Sequence, residues 1–279
     1  AGSAATGPVG AWASRVERVV GPRAGLPRCP SLRAQRLGLN GLGLNGLGAV
    51  PAFRSIKPAG ATPLDTVHDF PDGPFAESLR NVLVSIGRAS TGRCAVIAIT
   101  SAIPGEGKTT LSACMGRTIA MANQSVVVVD CDIIRQQLSH MFHLEDGEPG
   151  LQEALNNADG DIAQYQESDS AMRILPITRP FRKGERLTES GRLHRLVARL
   201  REQFDFVILD CPPILAVAET RTLVTHADAV VLVARAAKTP VAAGPIRSVR
   251  TTDFALLAPL NRPLVGASGG NQVVLAGLR

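Results

Sequence analysis

From Cys94 onward the chain alternates short, unbroken apolar runs with stretches of helical periodicity. CAVIAIT (94–100), SVVVVD (125–130), MRILPI (172–177), FDFVILD (204–210) and ADAVVLVAR (227–235) each read as a strand without a polar face. Helical patterns fill residues 107–122, 188–203 and 217–226, and a loop-and-helix region with GLQEAL (150–155) precedes the third strand. Strands that are apolar on both sides must be covered on both sides. The expected fold is therefore α/β, a doubly wound, mostly parallel sheet with helices on each face. A further helix is expected from Pro74, where PFAESLRNVLVSIG puts Phe75, Leu79, Val82 and Ile86 on one face.

The first quarter of the chain lacks such patterns. Residues 1–50 are rich in Gly, Ala, Arg and Pro and carry the repeat LGLNGLGLNGLG at 37–48. Glycine at this density opposes helix and strand alike, so the stretch is expected to be poorly ordered. Pro51, Pro58, Pro63 and Pro71 extend it as a linker. The expected organisation is a flexible segment over 1–73, a folded domain over 74–240 and an atypical tail over 241–279. In that tail GASGGNQ (266–272) reads as loop, and VVLAG alone has strand character.

Composition changes this picture little. Aromatic residues are only 4%, which suits an Ala/Val/Leu-rich parallel sheet better than a β-sandwich. The net charge of +6 is a mild basic excess, and no run of consecutive Lys and Arg forms a nucleic-acid footprint, so no nucleic-acid partner is expected. Five cysteines show neither a CxxC pair nor metal-ligand spacing, which suits reduced thiols. Cys131 and Cys211 each follow an Asp of the motifs below, though small buried thiols often only fill space. The histidines share no spacing. No apolar run reaches the roughly 18 residues of a membrane span. The sequence opens without Met or a signal pattern, as a fragment boundary would.

Three motifs carry chemistry, each at the carboxyl end of an expected strand, where such folds bind ligands. SAIPGEGKTT (101–110) follows a strand, opens a helix and fits the P-loop pattern G-x-x-x-x-G-K-[ST], except that Ala102 takes the first position. Gly105 and Gly107 let backbone N–H groups turn toward phosphate oxygens, and the helix N-terminus favours the same anion. Lys108 is expected at the β/γ-phosphates of a nucleotide and Thr109 on Mg²⁺. Pro104, Gly105, Glu106, Gly107 and Thr110 complete the cradle. SVVVVDCD ends on Asp130 and Asp132, spaced to share a side and suited to a hard cation or a substrate hydroxyl. FDFVILDCPP ends on Asp210, in the form of a Walker B acid.

Together these residues resemble the bacterial tyrosine autokinases of capsule and exopolysaccharide assembly, which share a deviant-Walker P-loop scaffold with the partition and division-site ATPases. The resemblance spans about 47–240 and rests on LGAVPAF (47–53), PFAESLR (74–80), SAIPGEGKTT, VVVVDCDIIR (126–135), EPGLQEAL (148–155), FDFVILDCPPIL (204–215) and VARAAKTP (233–240). It implies a P-loop kinase or ATPase domain over 74–240, with ATP and Mg²⁺ as cofactors. Lys108, Asp130, Asp132 and Asp210 are the implied catalytic residues, Thr109, Asp130 and Asp210 the implied Mg²⁺ set, and any of the three acids could be the base. The signature lysine of the partition ATPases falls on Ile103, which favours the kinase branch.

The chain departs from the family in three places. It has one tyrosine, Tyr165, instead of a C-terminal tyrosine cluster. The E-x-x-R-x-x-R oligomerisation motif keeps Glu77 and Arg80 but has Leu83 third, and a solvated i, i+3 pair explains Glu77 and Arg80 as well as a homo-oligomer interface does. After 240 the sequence loses the helix-plus-strand pattern that the family leads one to expect. Arg135 could contact phosphate, and RPFRKGER (179–186) reads as a basic connecting loop. The resemblance implies a tyrosine-bearing protein or neighbouring subunit as acceptor and a membrane-spanning polysaccharide co-polymerase as partner. It implies a cytoplasmic setting, at the inner face of the membrane through a partner or an upstream segment. Two other functions fit the same motifs: an ATPase switch with water as acceptor, and a nucleotide-sensing scaffold with negligible turnover.

Overall fold

The computed structural model describes residues 45–51, 53, 61–87, 94–144, 149–157, 162–182, 184–235 and 272–278. Its strands are β1 (Asn45–Pro51), β2 (Ala95–Ser101), β3 (Val126–Asp130), β4 (Tyr165–Gln166), β5 (Arg173–Leu175), β6 (Phe206–Asp210), β7 (Ala229–Arg235) and β8 (Gln272–Leu278). They form one sheet in the order β1-β8-β7-β2-β6-β3-β5-β4. The five inner strands from β7 to β5 run parallel, while β8, β1 and β4 are antiparallel to their neighbours. The apolar runs read as strands thus form a mostly parallel sheet, with antiparallel additions at both edges.

The helices are α1 (Pro63–Asp69), α2 (Pro74–Gly87), α3 (Lys108–Met121), α4 (Gln137–Met141), α5 (Leu151–Asn156), α6 (Arg192–Gln203) and α7 (Thr220–Leu223). The strand period of two divides the sheet's side chains between two cores. Ile97, Ile99, Val126, Val128 and Ile208 meet α1, α2 and α3 on one face. Val96, Ala98, Val127, Val129 and Leu209 meet α5, α6 and α7 on the other. Every residue of β2, β3 and β6 is buried, which explains the lack of polar alternation. Close approach of α3 to the sheet depends on Gly116. A Cβ there would lie 2.5 Å from Met172 Sδ and 2.7 Å from a Val128 methyl.

The flexible segment expected over 1–73 is corrected where it can be seen. Residues 45–51 form an edge strand paired with β8, their register shifted between Gly46 and Gly48. The prolines hid a helix as well. Pro63 occupies the first turn of α1, where its missing N–H costs nothing, and Thr62 and Asp65 form a capping box. Leu64, Thr66 and Val67 of α1 are buried. In the tail VVLAG lies in β8. Residues 1–44, 241–271 and Lys183 lie outside the described residues.

Other differences are local. The helix expected over 217–226 is a single turn, α7, followed by a 3-10 turn at Val224–His226. Glu77 and Arg80 pair within α2 at 2.7 Å, and Arg80 also donates to the Pro71 carbonyl. Both side chains of this i, i+3 pair are half-buried. One buried cation escaped the motif reading: Arg117 of α3 pairs with buried Glu167 beyond β4 and reaches Asp169 at 3.3 Å.

Candidate nucleotide site

The site is built where β2, β6 and β3 end side by side. Asp130 and Asp210 are direct register partners, which brings two of the motif acids to one spot. Between β2 and α3 the P-loop takes two left-handed turns, with Gly105 at φ +85° and Gly107 at φ +93°. Only glycine adopts these angles without cost. Beyond the adjoining backbone, nothing lies within 4 Å of the Cβ that either glycine lacks, so the space on that side of the loop is open. The loop is braced from below: Ile103 N–H donates to the buried Glu106 carboxylate at 2.8 Å, and Ser101 Oγ donates to the Ile103 carbonyl at 2.9 Å. The α3 N-terminus has no side-chain cap, leaving its first N–H groups for an anion.

Lys108, only 6% exposed, turns inward to the acids. Its Nζ lies 2.7 Å from Asp132 Oδ2, 3.4 Å from Thr109 Oγ1 and 4.0 Å from Asp210 Oδ1. Burial pulls the ammonium pKa down, but Asp210, Asp132 and Asp130 outweigh it and hold it above the ordinary lysine value. Asp210 accepts from Ser112 Oγ at 3.1 Å, and its other oxygen, Oδ2, is buried without a hydrogen-bond partner. Burial pushes the Asp210 carboxyl up, against Lys108, Thr109 and Ser112.

Asp130 and Asp132, alike in sequence, are placed differently. Asp130 accepts the Asp132 N–H on Oδ1 at 2.9 Å and the Leu138 N–H on Oδ2 at 3.2 Å. Both its oxygens hold the turn that leads into α4. Burial, then the neighbouring Asp210, pushes its carboxyl up to about 8. Asp132 instead takes the lysine and also accepts the Arg135 N–H at 3.2 Å. Arg135 and Pro104 are exposed, and Thr110 is half-buried. Cys131 and Cys211 are buried in the second core, as space-fillers are. Among the described residues no group of three or more His, Cys, Asp or Glu could hold a metal by itself. A cavity of about 700 Å³ at the opposite edge, lined by Asn123, Gln124, Arg173 and Phe204, contains none of the motif residues.

An open glycine hollow on a mostly parallel sheet, over a buried lysine and strand-end acids, defines a P-loop domain. The AAA domain family model matches residues 94–244, over half of the chain. Tyrosine-protein kinase YwqD of Bacillus subtilis is 32% identical over 168 residues, covering 59% of this chain and 70% of that protein. Tyrosine-protein kinase ptk of Acinetobacter johnsonii is 31% identical over 166 residues, covering 58% of this chain but only 22% of its own length. The chimerical protein CapA2B2 superposes with a TM-score of 0.57 at 26% identity, covering 67% of this chain and 79% of that one. The kinase domain of the Escherichia coli tyrosine kinase ETK shares the fold, with a TM-score of 0.58 at 22% identity over 68% of this chain and 77% of its own. The chain belongs to the AAA-domain family, in the branch of the bacterial tyrosine-protein kinases.

Proposed function

We propose that this domain binds Mg·ATP over Pro104–Thr110 and transfers the γ-phosphoryl group to a tyrosine of another protein chain, in the service of polysaccharide assembly. The observation that carries the reading is Lys108, buried beneath an open glycine hollow and held between Asp132 and Asp210. The residues suit the ligands. The hollow and the uncapped α3 N-terminus would cradle the phosphates. Thr109 and the unpaired Asp210 Oδ2 would hold Mg²⁺, which neutralises developing phosphate charge. Asp130, expected among the metal ligands, is assigned instead to holding the turn that aims Asp132.

ATP would draw Lys108 from Asp132 to the β/γ-phosphates. Asp132 would then accept the tyrosine proton as the tyrosine oxygen bonds to the γ-phosphorus and the bond to the β,γ-bridging oxygen breaks. Catalysis would come mainly from positioning and charge stabilisation. Tyr165 is a poor acceptor because its hydroxyl is buried in the β4 edge, so the tyrosine comes from a partner or neighbouring subunit.

The likeness to the succinoglycan biosynthesis transport protein ExoP of Rhizobium meliloti, 25% identical over 178 residues and 23% of its length, supports the polysaccharide role, and the partner proposed is the membrane-spanning co-polymerase that the family resemblance implies. No helix among the described residues is long and apolar enough to cross a membrane, so the proposed place at the inner membrane face depends on such a partner or an adjoining segment. The test is labelled-ATP transfer with Mg²⁺ and a tyrosine-bearing partner segment, comparing wild type with Lys108→Met. Tyrosine label that vanishes in the variant is the expected result. Phosphate release without labelled protein would replace the kinase reading with the ATPase switch, and nucleotide binding without turnover would replace it with the scaffold.

A further inference from the structure

The carboxyl edge of the sheet carries unpaired positive charge beside the nucleotide hollow. Strand order β6-β3-β5 sets three loops next to one another: 211–219 after β6, 131–136 after β3 and, after β5, the described residues 176–182 and 184–187. Neighbouring strands are about 4.8 Å apart, so the loops form one rim. Hydrogen bonds join them. Ser139 Oγ, in α4 just past the second loop, donates to the Ile177 carbonyl at 2.6 Å, and Thr188, just past the third, donates from N and Oγ1 to Glu219, each at 3.0 Å.

Arg135, Arg182 and Arg186 are exposed on this rim, and among the described residues none of the three pairs with a carboxylate. The rim's own acids are engaged elsewhere. Glu185 pairs with Arg192 and accepts from Gln152, Glu153 pairs with Arg179, and Glu219 holds Thr188. Two apolar side chains stand on the same loops, Ile134 at 70% exposure and Leu215 at 38%. Free guanidinium groups recognise carboxylates by paired N–H donors, and exposed aliphatic side chains beside them suit an aromatic ring.

We propose that this rim docks the phosphoacceptor segment, and that the segment is a tyrosine flanked by acidic residues, its ring against Ile134 and Leu215. The proposal rests on the kinase reading and names its substrate class. An anionic membrane would meet the same charges. However, β2, which feeds the P-loop, is next to β6, so the rim borders the reacting end of the site. An acceptor has to stand there, and a bilayer lying on the rim would shut it out.

The test uses the full chain, with fluorescent peptides carrying one tyrosine between glutamates, alanines or lysines. Anisotropy measures binding and labelled ATP measures transfer. Wild type should bind the glutamate peptide about tenfold more tightly than the alanine peptide, a preference erased at about 0.5 M salt by screening. Arg182→Glu/Arg186→Glu should remove the preference with nucleotide affinity unchanged. Ile134→Ser should weaken every tyrosine peptide and leave a tyrosine-free glutamate peptide unaffected. Equal binding of the three peptides, or a preference surviving the double charge reversal, overturns the proposal. So does capture by vesicles containing phosphatidylserine that the glutamate peptide fails to displace. Selective binding without transfer to tyrosine would sink the kinase reading and leave the acidic-segment surface standing.

Discussion

Lys108→Met removes a buried cation while keeping a side chain of similar length. In the wild type its ammonium stands against Asp132 at 2.7 Å and Asp210 at 4.0 Å, with both carboxylates at most 1% exposed. Removing one partner of a buried pair costs about 3–5 kcal/mol, because the remaining charge can neither pair nor hydrate. Protons can replace the lysine in part. The Asp130 carboxyl is already raised to about 8 and Asp210 is raised too, and losing Lys108 drives both further up. A carboxyl whose folded pKa exceeds its unfolded value of 3.8 binds more protons when folded, so stability falls as pH rises through that window. The variant's deficit should therefore be smaller at about pH 5.5 than at about pH 8.5, where it reaches the full 3–5 kcal/mol. For a domain of this size that is a Tm loss of roughly 6–20 °C at the higher pH. Differential scanning calorimetry at both pH values measures it, with Lys108→Met/Asp132→Asn expected to recover part of the loss. A deficit equal at both pH values would refute the electrostatic account, as would a double variant no more stable than the single one.

The two glycine types should separate site from scaffold. Gly107→Ala puts a Cβ into the open hollow at φ +93°, so nucleotide affinity falls while stability drops only by the backbone strain of about 1–2 kcal/mol. Gly116→Ala forces a Cβ onto Met172 and Val128, costing about 1–3 kcal/mol of overpacking seen in thermal melts, with nucleotide affinity retained in the folded fraction. Asp130→Asn removes a group whose folded pKa of about 8 lies above its unfolded value; denaturant titrations should find wild type losing stability relative to the variant from about pH 4 to pH 8 and holding level above. Arg117→Met leaves Glu167 buried without its cation, and chemical denaturation should report a loss of about 3–5 kcal/mol, with ATP affinity of the folded protein unaltered.

Local chemistry accounts for what could be read along the chain. The valines 126–129 mark a buried strand because four apolar side chains in a row need cover on both sides, whatever lies beside them, and PGEGKTT marks a phosphate loop because glycine alone allows its turns. Those features depend on neighbours in sequence, so the five parallel strands and the P-loop stand within a residue or two of where the pattern puts them. Within the expected linker, Pro63–Asp69 forms a helix because a proline in the first turn costs nothing behind the Thr62–Asp65 capping box.

Local residue patterns supply the parts: alternating strands and helices, a glycine-lined anion loop, and three acids at strand ends. Tertiary structure decided how the parts are used. Two acids two residues apart carry the same chemistry until the turn beyond β3 brings the Asp132 and Leu138 N–H groups onto Asp130 and leaves Asp132 to Lys108. Arg117 reads as an ordinary helix-surface arginine until a segment 50 residues away brings Glu167 to it inside the core. The glycine-rich 45–51 becomes a strand only because β8 supplies its hydrogen bonds. In each case the deciding partner is distant in sequence. Pairing over that distance is set by which packing buries the most apolar surface with its polar groups satisfied, a property no local pattern encodes.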